Sequence, residues 1–214
     1  MFIKVCGLTR EADAVHAAEA GATALGFVFW PQSPRYVSPA TAKAIVASLP
    51  RGISTVGVFV NETPDGIRAV IGETGVGMVQ LHGDERPREA ASLGYPLLKA
   101  CHLDEADAAV NAWPREVVLL VDARDPVRRG GTGRQVDWAL AAALGRRRRI
   151  VLAGGLTAEN VAEAIRVVGP YGVDVSSGVE LAPGVKDAAQ VARFVAQARS
   201  AFADEAAVSK WKGV

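Results

Sequence analysis

The chain repeats one pattern eight times: a short apolar, β-branched run, a polar or glycine-rich junction, and an alanine-rich stretch with apolar residues every three or four positions. Such runs are typical of buried parallel strands, and the stretches between them of amphipathic helices. Successive runs lie roughly 24 residues apart, the length of one strand, one helix and two short loops. The pattern predicts an α/β protein that forms a single (β/α)₈ TIM barrel. The runs centre on residues 3–5, 25–28, 56–59, 78–81, 97–100, 118–121, 150–153 and 173–175.

An open, doubly wound sheet is the alternative fold, because a count of strands does not prove that a sheet closes. No Pro/Gly/Ser-rich linker divides the eight units, and 214 residues are enough to bury one large core. We therefore predict one barrel domain over residues 1–203. Residues 204–214 follow the last predicted helix, and we expect them to form a loosely attached tail.

Charge and cysteine content favour small-molecule partners over macromolecules. Lys and Arg total 24 against 23 Asp and Glu, a net charge of +1, so no overall field attracts nucleic acid or an anionic membrane. The N-terminus lacks the pattern of a secretory signal, and no apolar run is long enough to span a bilayer. A cytoplasmic location is the expectation. The two cysteines, without a CxxC motif, support neither a disulfide framework nor a cysteine zinc site.

In a barrel of this kind, the residues that follow the strands share one rim, where the active site lies. Cys6 follows the first apolar run, and its thiol could serve either chemistry or packing. Asp122 ends the strongest run, as a strand cap or as an acid facing the barrel mouth. Arg35, in a loop stiffened by two prolines, is either a surface residue or a ligand for a carboxylate. His82 either binds a ligand or hydrogen-bonds its neighbours.

Glycine and serine follow the seventh and eighth runs, as the phosphate-binding loops of many barrels do. Backbone amides there can approach an anion closely, and a short helix near Gly178 would add its dipole. A second glycine cluster, at 130–133, lacks a dinucleotide fingerprint, and we interpret it as a lid. We interpret the basic run 146–149, which precedes a strand, as a solvated charge cluster. The predicted phosphate-binding residues are Gly154, Gly155, Ser176, Ser177 and Gly178.

Several of these motifs occur together, in order, in one enzyme family. On their combination the chain resembles the phosphoribosylanthranilate isomerases of tryptophan biosynthesis, over about residues 2 to 200. The motifs are KVCGLT at 4–9, SPRYV at 33–37, VGVFVN at 56–61, VQLHG at 79–83, GGTG at 130–133, LAGGL at 152–156, DVSSGVE at 174–180 and PGVKD at 183–187.

The resemblance implies an Amadori rearrangement of N-(5-phosphoribosyl)anthranilate to 1-(2-carboxyphenylamino)-1-deoxy-D-ribulose 5-phosphate, without metal or cofactor. It implies that Cys6 is the general base, that Asp122 is the general acid and that Arg35 binds the anthranilate carboxylate. It also implies that the glycine and serine loops bind the phosphate, and that His82 and Asp174 line the pocket. An ordinary cysteine is mostly protonated and an ordinary aspartate ionised at neutral pH, so we expect both pKa values to be shifted.

Two other functions fit a barrel with a phosphate site. One is another phosphosugar isomerase or synthase, but these would need a carboxylate pair in place of Cys6, or a catalytic lysine and a longer N-terminus. The other is a phosphate-binding regulatory barrel without turnover, against which the presence of both Cys6 and Asp122 argues. The sequence leaves open whether the protein is a monomer or a homodimer.

Overall fold

Eight parallel strands close into a barrel in which each strand pairs with the next and the last pairs with the first. The structure is a computed structural model that describes residues 1–122 and 137–211, the last four by backbone alone. The predicted TIM barrel is confirmed, and the pairing of the first strand with the eighth excludes the open sheet. The strands are β1 (Phe2–Cys6), β2 (Ala24–Val28), β3 (Ser54–Phe59), β4 (Met78–Leu81), β5 (Leu97–His102), β6 (Val118–Asp122), β7 (Ile150–Leu152) and β8 (Gly172–Val175).

The strands alternate with helices on the outside of the barrel. Between β8 and the last helix lie a 3₁₀ turn at Ser177–Val179 and a small antiparallel hairpin, β9 (Glu180–Ala182) and β10 (Val185–Lys186). The predicted lid at 130–133 lies outside the described residues. The helices are α1 (Glu11–Glu19), α2 (Pro39–Ser48), α3 (Pro64–Thr74), α4 (Pro87–Ala91), α5 (Ala106–Ala112), α6 (Trp138–Gly145), α7 (Val161–Val168) and α8 (Ala188–Trp211).

Six residues stand as candidate caps just before helical stretches of the sequence, and three of them cap a helix in the structure. The six candidates are Thr9, Ser38, Thr63, Asp84, Thr157 and Asp187. The Ser38 hydroxyl accepts a hydrogen bond from the Thr41 amide, and the Thr63 hydroxyl accepts one from the Gly66 amide. The Asp187 carboxylate accepts two amide hydrogen bonds at the start of α8. These bonds satisfy amides that have no partner within the helix. The other three candidates were wrong, because α1, α4 and α7 begin after Arg10, Arg86 and Asn160.

The last helix is longer than the sequence suggested. The predicted helix ended near Phe202, but α8 continues through Asp204 to Trp211. Residues 204–211 are therefore a helical extension and not a separate irregular segment. The boundary at residue 203 between the barrel domain and the tail stays a prediction.

Arg148 corrects the interpretation of the basic run as a solvated cluster. Its side chain is buried at the amino-terminal end of the barrel, and its guanidinium donates to the carbonyl groups of Val110, Trp113, Pro114 and Val117. These carbonyls belong to the end of α5 and the loop that leads to β6, so Arg148 ties this connection to the start of β7. Only its neighbours in the run are exposed.

A second buried cation holds the loops that follow β3 and β4. The Lys99 ammonium donates to Glu85 Oε2 at 2.8 Å and to the Gly83 carbonyl at 2.6 Å. Glu85 Oε1 in turn accepts a hydrogen bond from the Asn61 amide at 2.8 Å. One ion pair therefore fixes two adjacent loops at the carboxyl-terminal rim of the barrel.

The barrel interior is apolar near its amino-terminal end and polar toward the opposite rim. Side chains of one strand alternate between the interior and the helices, so Phe2, Lys4 and Cys6 of β1 all point inward. Phe2 packs in an apolar layer with residues such as Leu98 and Leu120. Lys4, in the middle of the strand, has no exposed surface. A charge at this depth requires a partner, and the partner belongs to the functional site.

Candidate active site

A pocket opens at the carboxyl ends of β6, β7 and β8, where most of the predicted site residues meet. Asp122 and the glycines and serines of the two loops were predicted on one rim because they come at the ends of strands, whereas Asp174 was predicted from the family resemblance. The residues that line the pocket are Asp122, Ala153, Gly154, Gly155, Leu156, Asp174, Val175, Ser176, Ser177 and Gly178.

The loop after β7 exposes backbone to this pocket. Gly154 and Gly155 have φ angles of 79° and 68°, a left-handed conformation that strains any residue with a Cβ atom. The Asn160 side chain holds this turn, because it donates to the Gly155 carbonyl at 2.9 Å and accepts from the Thr157 amide at 2.8 Å. Two consecutive left-handed glycines can present their amides in a shape that suits an anion.

Asp122 lies at the end of β6, with His82 opposite it at the end of β4. Both are largely buried, and His82 Nε2 lies 3.8 Å from Asp122 Oδ2. Gln80, two residues before His82, places its Nε2 atom 3.0 Å from His82 Nδ1. With the amide nitrogen of Gln80 as donor, Nδ1 accepts, and a neutral His82 ring then carries its proton on Nε2, which faces Asp122.

Cys6 ends β1 on the inner side of the barrel, beside Val28 and Val58. The Ser176 hydroxyl donates to the Cys6 carbonyl at 3.1 Å, so the cysteine is joined directly to a loop that lines the pocket. Burial raises the pKa of the Cys6 thiol, while attraction to Lys4 opposes that rise. This direction is opposite to the one expected for a base that is ionised at neutral pH, but a thiolate in this position is a stronger base than an ordinary one. Cys6 and Cys101 are both free thiols.

Lys4 and Asp174 form a buried ion pair under Cys6. They are direct neighbours in the pairing of β1 with β8, and Lys4 Nζ donates to Asp174 Oδ1 at 3.0 Å. Burial alone would lower the pKa of Lys4, but attraction to Asp174 and to Cys6 outweighs it and raises this pKa. Lys4 is therefore charged. Asp174, which the family resemblance placed in the pocket lining, also holds this charge in place.

Arg35 reaches the site from the loop after β2, where its guanidinium meets the start of the hairpin. Its Nε and Nη2 atoms donate to both carboxylate oxygens of Glu180, at 2.7 to 3.1 Å. The Lys186 ammonium donates to the same carboxylate at 2.7 Å and to the Ser176 carbonyl at 3.2 Å. These contacts fix the Arg35 side chain, whose Cδ atom lies next to Gly7, the residue after Cys6.

Four residues at the site did not enter the sequence-based predictions as site residues: Lys4, Gln80, Glu180 and Lys186. A signal for two of them was present, since Lys4 and Gln80 interrupt otherwise apolar runs that had been interpreted as buried strands. Charged or amide side chains are seldom buried without a partner, so each pointed to a contact across the barrel. For Glu180 and Lys186 no local pattern distinguished them from exposed charges of a loop.

Within residues 1–122 and 137–211, no group of three His, Cys, Asp or Glu side chains is arranged to hold a metal ion. A reaction without metal stays a prediction. None of the helices in the same part of the chain has both the length and the apolar character needed to cross a membrane.

Comparison with known proteins shows similarity over nearly the whole barrel. A family model described as N-(5'-phosphoribosyl)anthranilate (PRA) isomerase matches residues 3–197. An N-(5'-phosphoribosyl)anthranilate isomerase from Pelobacter propionicus is 48% identical over 194 residues, covering 90% of this chain and 93% of the relative. The crystal structure of phosphoribosyl anthranilate isomerase from Thermotoga maritima is 40% identical, with a TM-score of 0.87, over 94% of this chain and 99% of that chain.

A further crystal structure contains a ligand. It is a phosphoribosyl anthranilate isomerase in complex with reduced 1-(o-carboxyphenylamino)-1-deoxyribulose 5-phosphate, and it is 39% identical to this chain with a TM-score of 0.84. The match covers 94% of this chain and 99% of that chain. A ligand of this kind carries a phosphate at one end and a carboxylate at the other.

Proposed function

This chain belongs to the N-(5'-phosphoribosyl)anthranilate isomerase family, and we propose that it performs the reaction with Cys6 as general base and Asp122 as general acid. It is an isomerase of tryptophan biosynthesis that acts on N-(5'-phosphoribosyl)anthranilate. The observation that carries the residue roles is the shared pocket, in which Asp122 lies beside the glycine and serine loops while Ser176 bonds to the Cys6 carbonyl. This arrangement supports the proposal that an acid, a base and an anion site act on one substrate.

The first step opens the ribose ring. The protonated carboxyl of Asp122 gives its proton to the ring oxygen, and the bond from this oxygen to C1′ breaks. The nitrogen lone pair forms the second bond of an iminium ion at C1′. His82 is suited to hold Asp122 in position, because its Nε2 proton faces the Asp122 carboxyl group.

The second step removes the hydrogen at C2′, which the adjacent iminium ion makes acidic. The Cys6 thiolate takes this proton, the C–H electrons form the C1′=C2′ double bond, and the electrons of the C=N bond return to nitrogen. The resulting enol then takes a proton at C1′ and loses one from its oxygen to give the ketone. No atom is gained or lost overall, as an isomerisation requires.

Two anchors hold the substrate between these groups. We assign the phosphate to the amides of the loops at Gly154–Gly155 and Ser176–Gly178, where backbone donors suit an oxyanion. We assign the anthranilate carboxylate to the Arg35 guanidinium, whose Nη1 is bonded to no other residue in the described ranges. Binding energy from both ends can then hold the reacting carbons in place for proton transfer.

The experiment that tests these roles follows the loss of substrate fluorescence in purified wild type, Cys6→Ser and Asp122→Asn. We expect kcat of each variant to fall by about 10²- to 10⁴-fold, because each variant loses a proton-transfer group. The circular dichroism spectrum should stay unchanged. Cys101→Ala is the matched control, because this second buried thiol packs away from the pocket. Near wild-type kcat in Cys6→Ser or Asp122→Asn would remove that residue from the mechanism, and binding without turnover by the wild type would favour a regulatory barrel.

We further propose that the reaction is an Amadori rearrangement that needs no cofactor, and that the protein works in the cytoplasm as a monomer or homodimer with a small-molecule substrate. The near-neutral net charge of +1 supports the absence of nucleic-acid and membrane partners. We expect activity to persist after dialysis against a chelator, and its loss would contradict a reaction without a metal cofactor. Size-exclusion chromatography with light scattering gives the oligomeric state.

A further inference from the structure

We propose that Lys4 is a positioning residue whose buried positive charge, held beside the Cys6 sulfur by Asp174, stabilises the thiolate of that sulfur. The proposal deepens the proposed function, because it rests on Cys6 as the base. It assigns a role to the most deeply buried charge in the barrel, which has no exposed surface. It also accounts for a lysine at the centre of an apolar strand.

The ammonium and the sulfur are close neighbours inside the barrel. A Cβ atom placed on Gly26 of β2 would lie 2.7 Å from Cys6 Sγ and 3.0 Å from Lys4 Nζ. The two atoms therefore flank a single point and cannot be farther apart than these distances together. Only a residue without a side chain leaves this space open, so Gly26 permits the approach of ammonium and sulfur.

Asp174 keeps the ammonium in this place. The 3.0 Å hydrogen bond from Lys4 Nζ to Asp174 Oδ1 spans neighbouring strands, and both side chains point into the barrel. A lone lysine at this depth would lose its proton, because burial disfavours the charged form. With Asp174 and the sulfur as partners, the charge is retained. When Cys6 ionises, its thiolate becomes a second negative partner of the same cation.

The other groups that act on Cys6 are few. Lys186 of β10 adds a second, weaker attraction, but its ammonium is bonded to Glu180. Asp174 repels the thiolate, so its effect on Cys6 opposes that of Lys4. Lys4 is therefore the largest favourable charge that Cys6 meets. In a medium of low dielectric such a charge acts strongly on a neighbouring thiol.

The test is the pH dependence of Cys6 alkylation by iodoacetamide, followed by mass spectrometry of the peptide that contains Cys6. We expect Lys4→Met to raise the midpoint by at least one pH unit, and so to slow alkylation below the midpoint by about tenfold or more. The acid limb of the kcat/KM profile should move in the same direction. An unchanged midpoint in Lys4→Met would overturn the proposal.

Two further variants separate charge from folding. Lys4→Met/Asp174→Asn removes the carboxylate that Lys4→Met leaves unpaired, and it keeps the size of both side chains. If the charge of Lys4 acts on Cys6, the double variant keeps a raised midpoint; a midpoint restored to the wild-type value would mean that Lys4 only neutralises Asp174. Lys99→Met is the matched control, because it removes another buried ion pair, with Glu85, and should leave the Cys6 midpoint unchanged.

Alkylation reports on Cys6 without any turnover. Full activity in Cys6→Ser would refute the base role even if Lys4→Met shifted the midpoint. A loss of activity in Cys6→Ser with no shift in Lys4→Met would instead refute the present proposal alone.

Discussion

The guanidinium of Arg35 and the carboxylate of Glu180 form a bidentate ion pair, although 145 residues separate them in the chain. The pair joins the loop after β2 to the hairpin after β8, and little of either side chain is exposed. Such a fork-to-fork contact fixes both the position and the plane of the guanidinium. The proposed carboxylate site is therefore built before substrate arrives, which reduces the cost of ordering a long side chain on binding.

Glu180→Gln should make the protein less stable at neutral pH, by roughly 3 kcal/mol, because Arg35 and Lys186 lose a shared buried partner. Hydrogen bonds and attraction from Arg35 and Lys186 outweigh burial and hold the pKa of Glu180 below its usual 4.5. The carboxylate thus contributes stability that is present above pH 4.5 and is lost as the pH falls through the lower pKa of the folded state. The difference in free energy of unfolding between the wild type and Glu180→Gln should therefore become smaller in acid. Urea unfolding at several pH values measures it.

Glu163→Gln is the control, since this glutamate of α7 is exposed. Its free energy of unfolding should follow the wild type at every pH. If the free energies of unfolding of the wild type and of Glu180→Gln differed by the same amount down to strong acid, Glu180 would not have the lowered pKa.

Arg35→Ala should weaken substrate binding more than it slows the chemical step. The carboxylate would lose a charge-assisted partner, so we expect KM to rise by about tenfold or more while kcat falls less. Arg35→Lys keeps the charge but cannot form the bidentate contact with Glu180, and should recover only part of the loss. Steady-state kinetics measures both effects. A selective loss of kcat with unchanged KM would place Arg35 in the chemical step instead.

Gly155→Ala should raise KM and also destabilise the protein. A Cβ atom at a φ of 68° costs about 1 kcal/mol, and relief of that strain would turn the amides away from the pocket. Gly169→Ala provides a matched control. Gly169 has a φ of 58° at the end of α7, and a Cβ atom added there would contact no other atom. It should lose similar stability with unchanged KM. Inorganic phosphate, tested as a competitive inhibitor, should bind more weakly to Gly155→Ala alone.

Arg148→Leu should lower the free energy of unfolding by roughly 3 kcal/mol without changing the kinetic constants. Four carbonyl groups would lose their donor, and several of them lie where water does not easily replace it. Arg146→Ala, two residues earlier and exposed, should change stability by less than about 0.5 kcal/mol. Equal unfolding midpoints for the two variants would mean that the buried guanidinium has no special structural role.

The sequence predicted the barrel and much of its rim because both depend on local patterns. Eight apolar runs at regular spacing predicted eight strands, and a parallel barrel places every residue after a strand on one side. Cys6, Asp122 and the two loops of glycine and serine could therefore be grouped without knowing any distance. Their catalytic roles came from the family resemblance and not from this grouping.

Contacts between distant parts of the chain could not be predicted in this way. Arg35 was predicted as a ligand for a carboxylate, but its partnership with Glu180 depends on how the hairpin after β8 folds back. Arg148 was predicted to be solvated because its neighbours are charged, and only the fold shows that it faces four carbonyls. In both cases the side chain is fixed by long-range packing, which local composition does not record.

The pairing of β1 with β8 has a consequence for the growing polypeptide. Lys4 and Cys6 are synthesised well before Asp174, because the carboxylate that retains the Lys4 charge comes 170 residues later in the chain. Until the eighth strand docks against the first, the lysine has no buried partner and the thiol is an ordinary one. The environment of the proposed base is thus complete only when the barrel closes, and fragments released before that moment carry Cys6 without the neighbouring charge.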